Sequence, residues 1–262
     1  MHAIGDELGL TDKVAVISGA ASGIGQRLCE AYARVGVRTV IGYYAEDPHD
    51  PAVTRSLVEA EGGECAVVEA DVRSSTAVED LCQTALDQFG RLDIAVDNAG
   101  SVRRAGIGEM TDAEWSQLIE IDLSGVMRLF RSAAGRMSGP GAMVAVSSIA
   151  GGYYGWEEHA HYAAAKAGVL GLCRSLAIEL APRNIRVNAV LPGVIDTPQS
   201  AHPVTGIGAE GLLAVGERIP WGRVGRAEEV ARTIRFLSSD DSSYMTGSFL
   251  VVDGGMTVKM PL

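Results

Sequence analysis

Short runs of β-branched and other apolar residues alternate along this chain with longer stretches in which apolar residues recur every three or four positions. The short runs predict strands over 14–18, 39–43, 65–69, 94–97, 142–146, 186–190 and 249–252. The longer stretches predict helices over 24–35, 51–61, 76–89, 112–137, 159–180 and 227–238. In the fifth of these, Leu172, Leu176 and Leu180 follow one another at i, i+4 and i+8, which predicts a core-facing stripe. The strands are almost wholly apolar, as strands covered on both faces must be. Strand and helix in alternation predict an α/β fold: a doubly wound, Rossmann-type parallel sheet of about seven strands with helices on both faces.

Length and composition narrow this picture. A chain of 262 residues, 47% hydrophobic and 21% charged, can bury one continuous core but would be cramped as two domains, so 1–262 is read as a single domain. Its least regular stretch, 198–218, is rich in Gly, Ala and Pro and follows the carboxyl edge of a strand. There a substrate lid or an ordinary surface excursion is expected. The net charge of −11 repels phosphate backbones and anionic membrane surfaces, which argues against nucleic acid and membrane as partners. Cys29, Cys65, Cys82 and Cys173 are scattered, without the paired spacing of a zinc site or redox motif, so free buried thiols and no metal are expected. The segment from Met1 to Glu7 is acidic where a secretory signal would be basic and then apolar, and no run approaches the ~20 apolar residues of a membrane span. A cytoplasmic protein without disulfides is the expectation.

The first strand leads into Ser18-Gly19-Ala20-Ala21-Ser22-Gly23-Ile24-Gly25, where a helix begins. Glycines there let the backbone turn tightly and approach a pyrophosphate, which the free N–H groups and positive end of the helix would stabilise. Further along stand Asp97-Asn98-Ala99-Gly100, Tyr162-Ala163-Ala164-Ala165-Lys166, Leu191-Pro192-Gly193 and Val252-Asp253-Gly254-Gly255. Tyr162 and Lys166, four apart on a helix, share one face and can reach a common ligand. A phenol ionises near pH 10, so an adjacent ammonium is expected to lower its pKa toward that of a working base.

In spacing and order these five motifs resemble the short-chain dehydrogenase/reductase family, over nearly the whole chain. The resemblance implies that Gly19, Ser22, Gly23, Ile24 and Gly25 cradle a dinucleotide, with Tyr43 near its ribose and Asp71 and Val72 at its adenine. It implies that Asn98, Ala99 and Gly100 line the adenosine and nicotinamide sides. Pro192, Gly193, Ile195 and Thr197 look like the carboxamide segment. It also implies that Tyr162 is the acid/base, with Lys166 as its electrostatic partner and ribose ligand, and that Ser148, preferred to Ser147, binds the substrate oxygen. Asp122 stands where relatives commonly carry an asparagine that holds a relay water. Its charge is expected to raise the pKa of Lys166 and alter proton transfer. His159 and His161 read as polar or substrate-rim residues.

Near the end of the second strand the sequence offers carboxylates at Glu46 and Asp47 and no cation, and Ser22 is neutral, so NAD is favoured over NADP. The expected reaction is hydride transfer between nicotinamide and a secondary alcohol or ketone, with a sugar, polyol or other small hydroxy compound as substrate. The loop 149–159, with Tyr153, Tyr154, Trp156, Glu157 and Glu158, should choose that substrate. A 3-oxoacyl-(acyl-carrier-protein) reductase is the alternative, although Arg183 is an isolated base where an acidic carrier would need a patch. A noncatalytic dinucleotide-binding regulator is the reading from another class. The resemblance further implies a homotetramer built on 112–137, 159–180 and the tail 249–262.

Overall fold

The computed structural model describes residues 3–260. Among the described residues nine strands form in chain order: β1 (Val14–Ile17), β2 (Arg38–Tyr43), β3 (Cys65–Glu69), β4 (Ile94–Asp97), β5 (Gly141–Val146), β6 (Ile185–Pro192), β7 (Ile195–Asp196), β8 (Gly225–Arg226) and β9 (Phe249–Val252). Seven of them make one parallel sheet in the order β3-β2-β1-β4-β5-β6-β9, and β7 and β8 form a separate two-residue ladder. The chain winds outward from β1 to β3 and then crosses back to place β4 on the other side of β1. That reversal opens a crevice beyond the carboxyl ends of β1 and β4, where open α/β sheets take their ligands.

Alternation along each strand divides the core in two. Val14 and Val16 face one layer with Leu81, Leu129, Phe130 and Val169, whereas Ala15 and Ile17 face the other with Leu28, Tyr32, Val230 and Ile234. The first layer carries the helices Ser75–Phe89, Gly125–Arg136 and Ala160–Leu180, and the second carries Gly23–Ala33, Pro51–Ala60 and Ala227–Ser238. With both faces covered, strands need apolar residues at every position, which is why the pattern reads as continuous runs.

Three expectations are corrected. The predicted helix 112–137 is interrupted: Asp112–Ile119 and Gly125–Arg136 flank a π-helical turn, Glu120–Ser124. Apolar periodicity hardly registers one widened turn, yet such turns commonly mark functional sites. The stripe of Ala160–Leu180 that faces the core is Ala165, Val169, Cys173, Ala177 and Leu180, while Leu172 and Leu176 are only partly buried at its flank. Small side chains at four-residue spacing let this helix lie close to the sheet, so of the three leucines only Leu180 marks its inner face. The stretch 198–218 is not irregular, because Pro198–Ala201 and Gly208–Gly216 are helical. The last two residues of the tail assigned to subunit contacts, Pro261 and Leu262, and the first two of the N-terminal segment lie outside the described residues.

Among the described residues no helix is long and apolar enough to cross a membrane, and no group of three His, Cys, Asp or Glu could hold a metal ion. The four cysteines are free, three of them buried and Cys65 half-buried.

Candidate active site

The glycine turn and the end of β4 are built as one floor. The Ser18 hydroxyl accepts the N–H groups of Asn98 and Ala99, each at 3.0 Å, and the Asn98 side-chain amide donates to the Gly19 carbonyl at 2.7 Å. Gly19 has φ +62°, and a Cβ there would stand 2.8 Å from the Ala99 Cα. A Cβ at Gly25 would stand 2.6 Å from the Asn98 amide nitrogen. Only glycine permits this approach. The helix Gly23–Ala33 opens at Ser22 with no side-chain cap, which leaves its first N–H groups for an anion. A glycine cradle against an uncapped helix start fits a dinucleotide pyrophosphate.

On the adenine side the structure corrects the view that no cation is near. Arg73 grips both oxygens of Asp71, at 2.7–3.0 Å, and its Nη2 donates to the Tyr44 hydroxyl at 2.9 Å, beside Tyr43 at the end of β2. The Arg73 guanidinium holds the Asp71 carboxyl below the usual carboxylate range and is largely neutralised by it. This pair went unseen because 29 residues separate Arg73 from Tyr44, and only the parallel pairing of β2 with β3 brings them together. Val72 is buried against Gly125.

The Pro192–Thr197 segment lies over the same crevice. Gly193 has no room for a Cβ, which would meet Asp253 at 2.7 Å, and Ile195 is buried. Thr197 caps Pro198–Ala201 by exchanging hydrogen bonds with Ser200 and stands above Gly23. One step on, the Gln199 amide donates to the Gly100 carbonyl at 3.2 Å.

The acid/base candidates converge at the carboxyl end of β5. The Lys166 ammonium donates to the Val146 carbonyl at 3.0 Å and lies 3.1 Å from Asp122 Oδ1. It stands 5.8 Å from the centroid of the Tyr162 ring. Asp122 is fully buried and also accepts the Ser101 N–H, 3.0 Å from Oδ2. Gly100 makes the pair possible, since a Cβ there would lie 2.9 Å from Asp122 Oδ1. The two serines are distinguished by their partners. Ser147 donates to the Lys166 carbonyl at 2.8 Å, whereas Ser148 caps the short helix Ile149–Gly152 and interacts with the Tyr162 phenol.

Electrostatics follow from burial. Desolvation pushes the Lys166 ammonium down, but Asp122, with help from Tyr162 and Asp97, outweighs it and holds the group above its ordinary value, as the sequence leads one to expect. The Asp122 carboxyl is raised by burial despite Lys166. Tyr162 departs from expectation. Burial raises the phenol and Asp122 adds to the rise, so that Lys166 and Ser148 only partly offset them and the protein's own groups leave it above its ordinary value.

Near Tyr162, two loops are tied together. Glu158 pairs with Arg104 at 2.6 Å, and its carbonyl accepts the Ala105 N–H at 2.8 Å. This carboxylate, a candidate for binding substrate hydroxyls, is therefore engaged by arginine. Trp156 stacks on His159 with ring centroids 3.7 Å apart and meets Tyr162 edge-on at 5.9 Å. Tyr154 turns away to donate to the Met256 carbonyl. His159 and His161 are both buried, and burial lowers both imidazoles.

Over residues 19–257 the sequence matches the family described as enoyl-(acyl carrier protein) reductase. It is 44% identical to the cis-4-hydroxycyclohexanecarboxylate dehydrogenase of Sinomonas cyclohexanicum, over 94% of this chain and 97% of that protein. It is 38% identical to the 3-oxoacyl-(acyl-carrier-protein) reductase of Thermotoga maritima, over 95% of this chain and 99% of that protein. Among solved structures, a short-chain type dehydrogenase/reductase from Mycobacterium marinum superposes with a TM-score of 0.88 at 33% identity, covering 97% of this chain and all of that one.

Proposed function

The chain belongs to the short-chain dehydrogenase/reductase family, an oxidoreductase of hydroxy and keto compounds, and from that premise we propose that it interconverts a small secondary alcohol and its ketone in the cytoplasm, with NAD favoured. The observation that carries this reading is the meeting of Ser148, Tyr162, Lys166 and Asp122 at the end of the sheet that carries the glycine cradle.

Gly19, Ser22, Gly23, Ile24 and Gly25 would hold the pyrophosphate, Tyr43, Asp71 and Val72 the adenosine, Asn98, Ala99 and Gly100 would form the floor, and Pro192, Gly193, Ile195 and Thr197 would hold the carboxamide. When bound, nicotinamide supplies the hydride acceptor or donor and, in its oxidised form, a positive charge beside the phenol. Tyr162 Oη takes the alcohol proton during oxidation and returns it during reduction. Ser148 donates a hydrogen bond to the substrate oxygen and stabilises its developing charge. Lys166 favours phenolate and binds ribose hydroxyls, and Asp122 keeps that ammonium charged and oriented. The preference for NAD is supported by the neutralisation of Arg73 by Asp71, which leaves little charge for an extra phosphate.

For the substrate, the Trp156 and Tyr162 rings, set nearly perpendicular to each other, give an aromatic wall beside the phenol suited to a sugar, polyol or alicyclic ring. The name of the 44% identical relative agrees with a small cyclic alcohol. A carrier-bound 3-oxoacyl group ranks below this, because Arg183 is engaged with the carbonyls of Ala134 and Met137. The segment 198–218 is placed to act as a lid, since its Gln199 amide reaches the Gly100 carbonyl across the crevice.

The test is a panel of cyclohexanols, sugars, polyols and a carrier-bound 3-oxoacyl thioester, followed by nicotinamide absorbance with both cofactors. A small alcohol should turn over with a higher kcat/KM for NAD than for NADP. Turnover of the thioester alone would overturn the substrate reading, and cofactor binding without any turnover would favour a regulator.

A homotetramer is part of the same reading. Trp115, Ile178 and Val258 are exposed apolar side chains on or beside the elements assigned to subunit contacts. Light scattering should give about four times the mass of the chain at assay concentration, and a monomer there would rule the assembly out.

A further inference from the structure

Asp97 ends β4 with its side chain fully buried. Its Oδ1 lies 3.2 Å from the Ser18 hydroxyl. The direction of that bond is decided by Ser18, whose oxygen already accepts the Asn98 and Ala99 N–H groups, leaving its single proton for Asp97. Asp97 Oδ2 is buried without a hydrogen-bond partner. The nearest ammonium, Lys166, is engaged by Asp122 and the Val146 carbonyl. Cys173, on the same helix as Lys166, faces Asp97 only as a thiol whose own ionisation burial and Asp97 oppose. An ionised Asp97 would therefore have one hydrogen bond, no direct cation and a second carboxylate nearby.

We propose that Asp97 is a buried carboxylic acid that keeps its proton in the resting active site and thereby sets the charge against which Tyr162 ionises. It is a positioning residue acting through the field around Lys166, and its role rests on Tyr162 being the acid/base. With Asp97 neutral, Asp122 and Lys166 cancel and the phenol ionises beside a balanced pair. With Asp97 ionised, phenolate becomes a third negative charge against one ammonium. Burial raises the Asp97 carboxyl to about 7, with Asp122 adding to the rise and Lys166 and Ser18 opposing it, so the change falls within the working range. The released proton passes to solvent.

Asp97→Asn tests this, since the amide keeps an acceptor for Ser18 and cannot ionise. The ratio of variant to wild-type kcat/KM for alcohol oxidation should climb as pH passes about 7, with the apparent phenol pKa lower by about one unit in the variant. A variant altered by one constant factor at every pH would overturn the proposal. Thermal unfolding gives a readout without turnover. An unfolded Asp ionises near 3.9 and the folded one near 7, so wild-type stability falls relative to the variant as pH rises between those values and stays at a constant deficit above. An infrared band of a protonated carboxyl should be present at pH 5.5 in the wild type and missing in the variant. Identical Tm values across this range, or no such band, would also overturn it. Both signatures without turnover of any alcohol would instead sink the Tyr162 reading and, with it, the role of Asp97 in catalysis.

Discussion

Tyr162→Phe is expected to lower kcat/KM for alcohol oxidation by about 10²–10⁴-fold, equivalent to about 2.7–5.4 kcal/mol of transition-state stabilisation, while dinucleotide affinity stays near the wild-type value. The substitution removes one oxygen from a half-buried ring that packs edge-on against Trp156, so the wall it forms is preserved. What is lost is the atom that exchanges a proton with substrate. Because the protein's own groups hold the phenol above its ordinary value, wild-type oxidation should speed up as pH rises toward that ionisation. Reduction needs the protonated phenol and should slow over the same range. Steady-state rates in both directions, with cofactor affinity from nicotinamide fluorescence, check this. Retained oxidation in the variant would refute the assignment of Tyr162.

Lys166→Met should damage both rate and stability. The ammonium is buried 3.1 Å from a fully buried carboxylate, and removing one member of such a pair typically costs about 3–5 kcal/mol, because the other is left as an uncompensated charge. Loss of a neighbouring cation also raises the phenol by about 1–3 units, so phenolate at fixed pH falls by roughly 10- to 1000-fold. Stability should depend on pH with a definite sign. The Asp122 carboxyl, already raised by burial and raised further without Lys166, can take up a proton as pH falls. The loss in Tm should therefore be larger at pH 8 than at pH 5. Adding Asp122→Asn to the lysine variant should restore part of the Tm at pH 8, since no orphan charge remains. An equal loss at both pH values would mean that Asp122 is not the charge exposed by the substitution.

These two expectations depend on features of very different legibility. Tyr162 and Lys166 are four residues apart, and on any helix that spacing puts them on one face, whatever surrounds them. The glycine turn is equally local, since its residues are consecutive and its purpose is to bend one short stretch of backbone. Asp122 could be recognised as an unusual acid, but its contact with Lys166 depends on the π-helical turn Glu120–Ser124 and on a missing Cβ at Gly100. Arg73 looked unrelated to the second strand until the sheet brought it to Tyr44. Nothing in the stretch around Asp97 marks one of its oxygens as unpartnered, because partners 79 residues away decide that.

From its amino acids alone this chain determined its strand and helix succession, its dinucleotide turn and the tyrosine and lysine that share a helix face. Those properties depend on neighbours within a turn or two, where backbone geometry is nearly invariant. The tertiary structure decided which partner each serine takes, which cations are already neutralised and which acids are shut off from water. Such outcomes depend on through-space distance and on exclusion from water, and both arise only when remote segments have packed against one another.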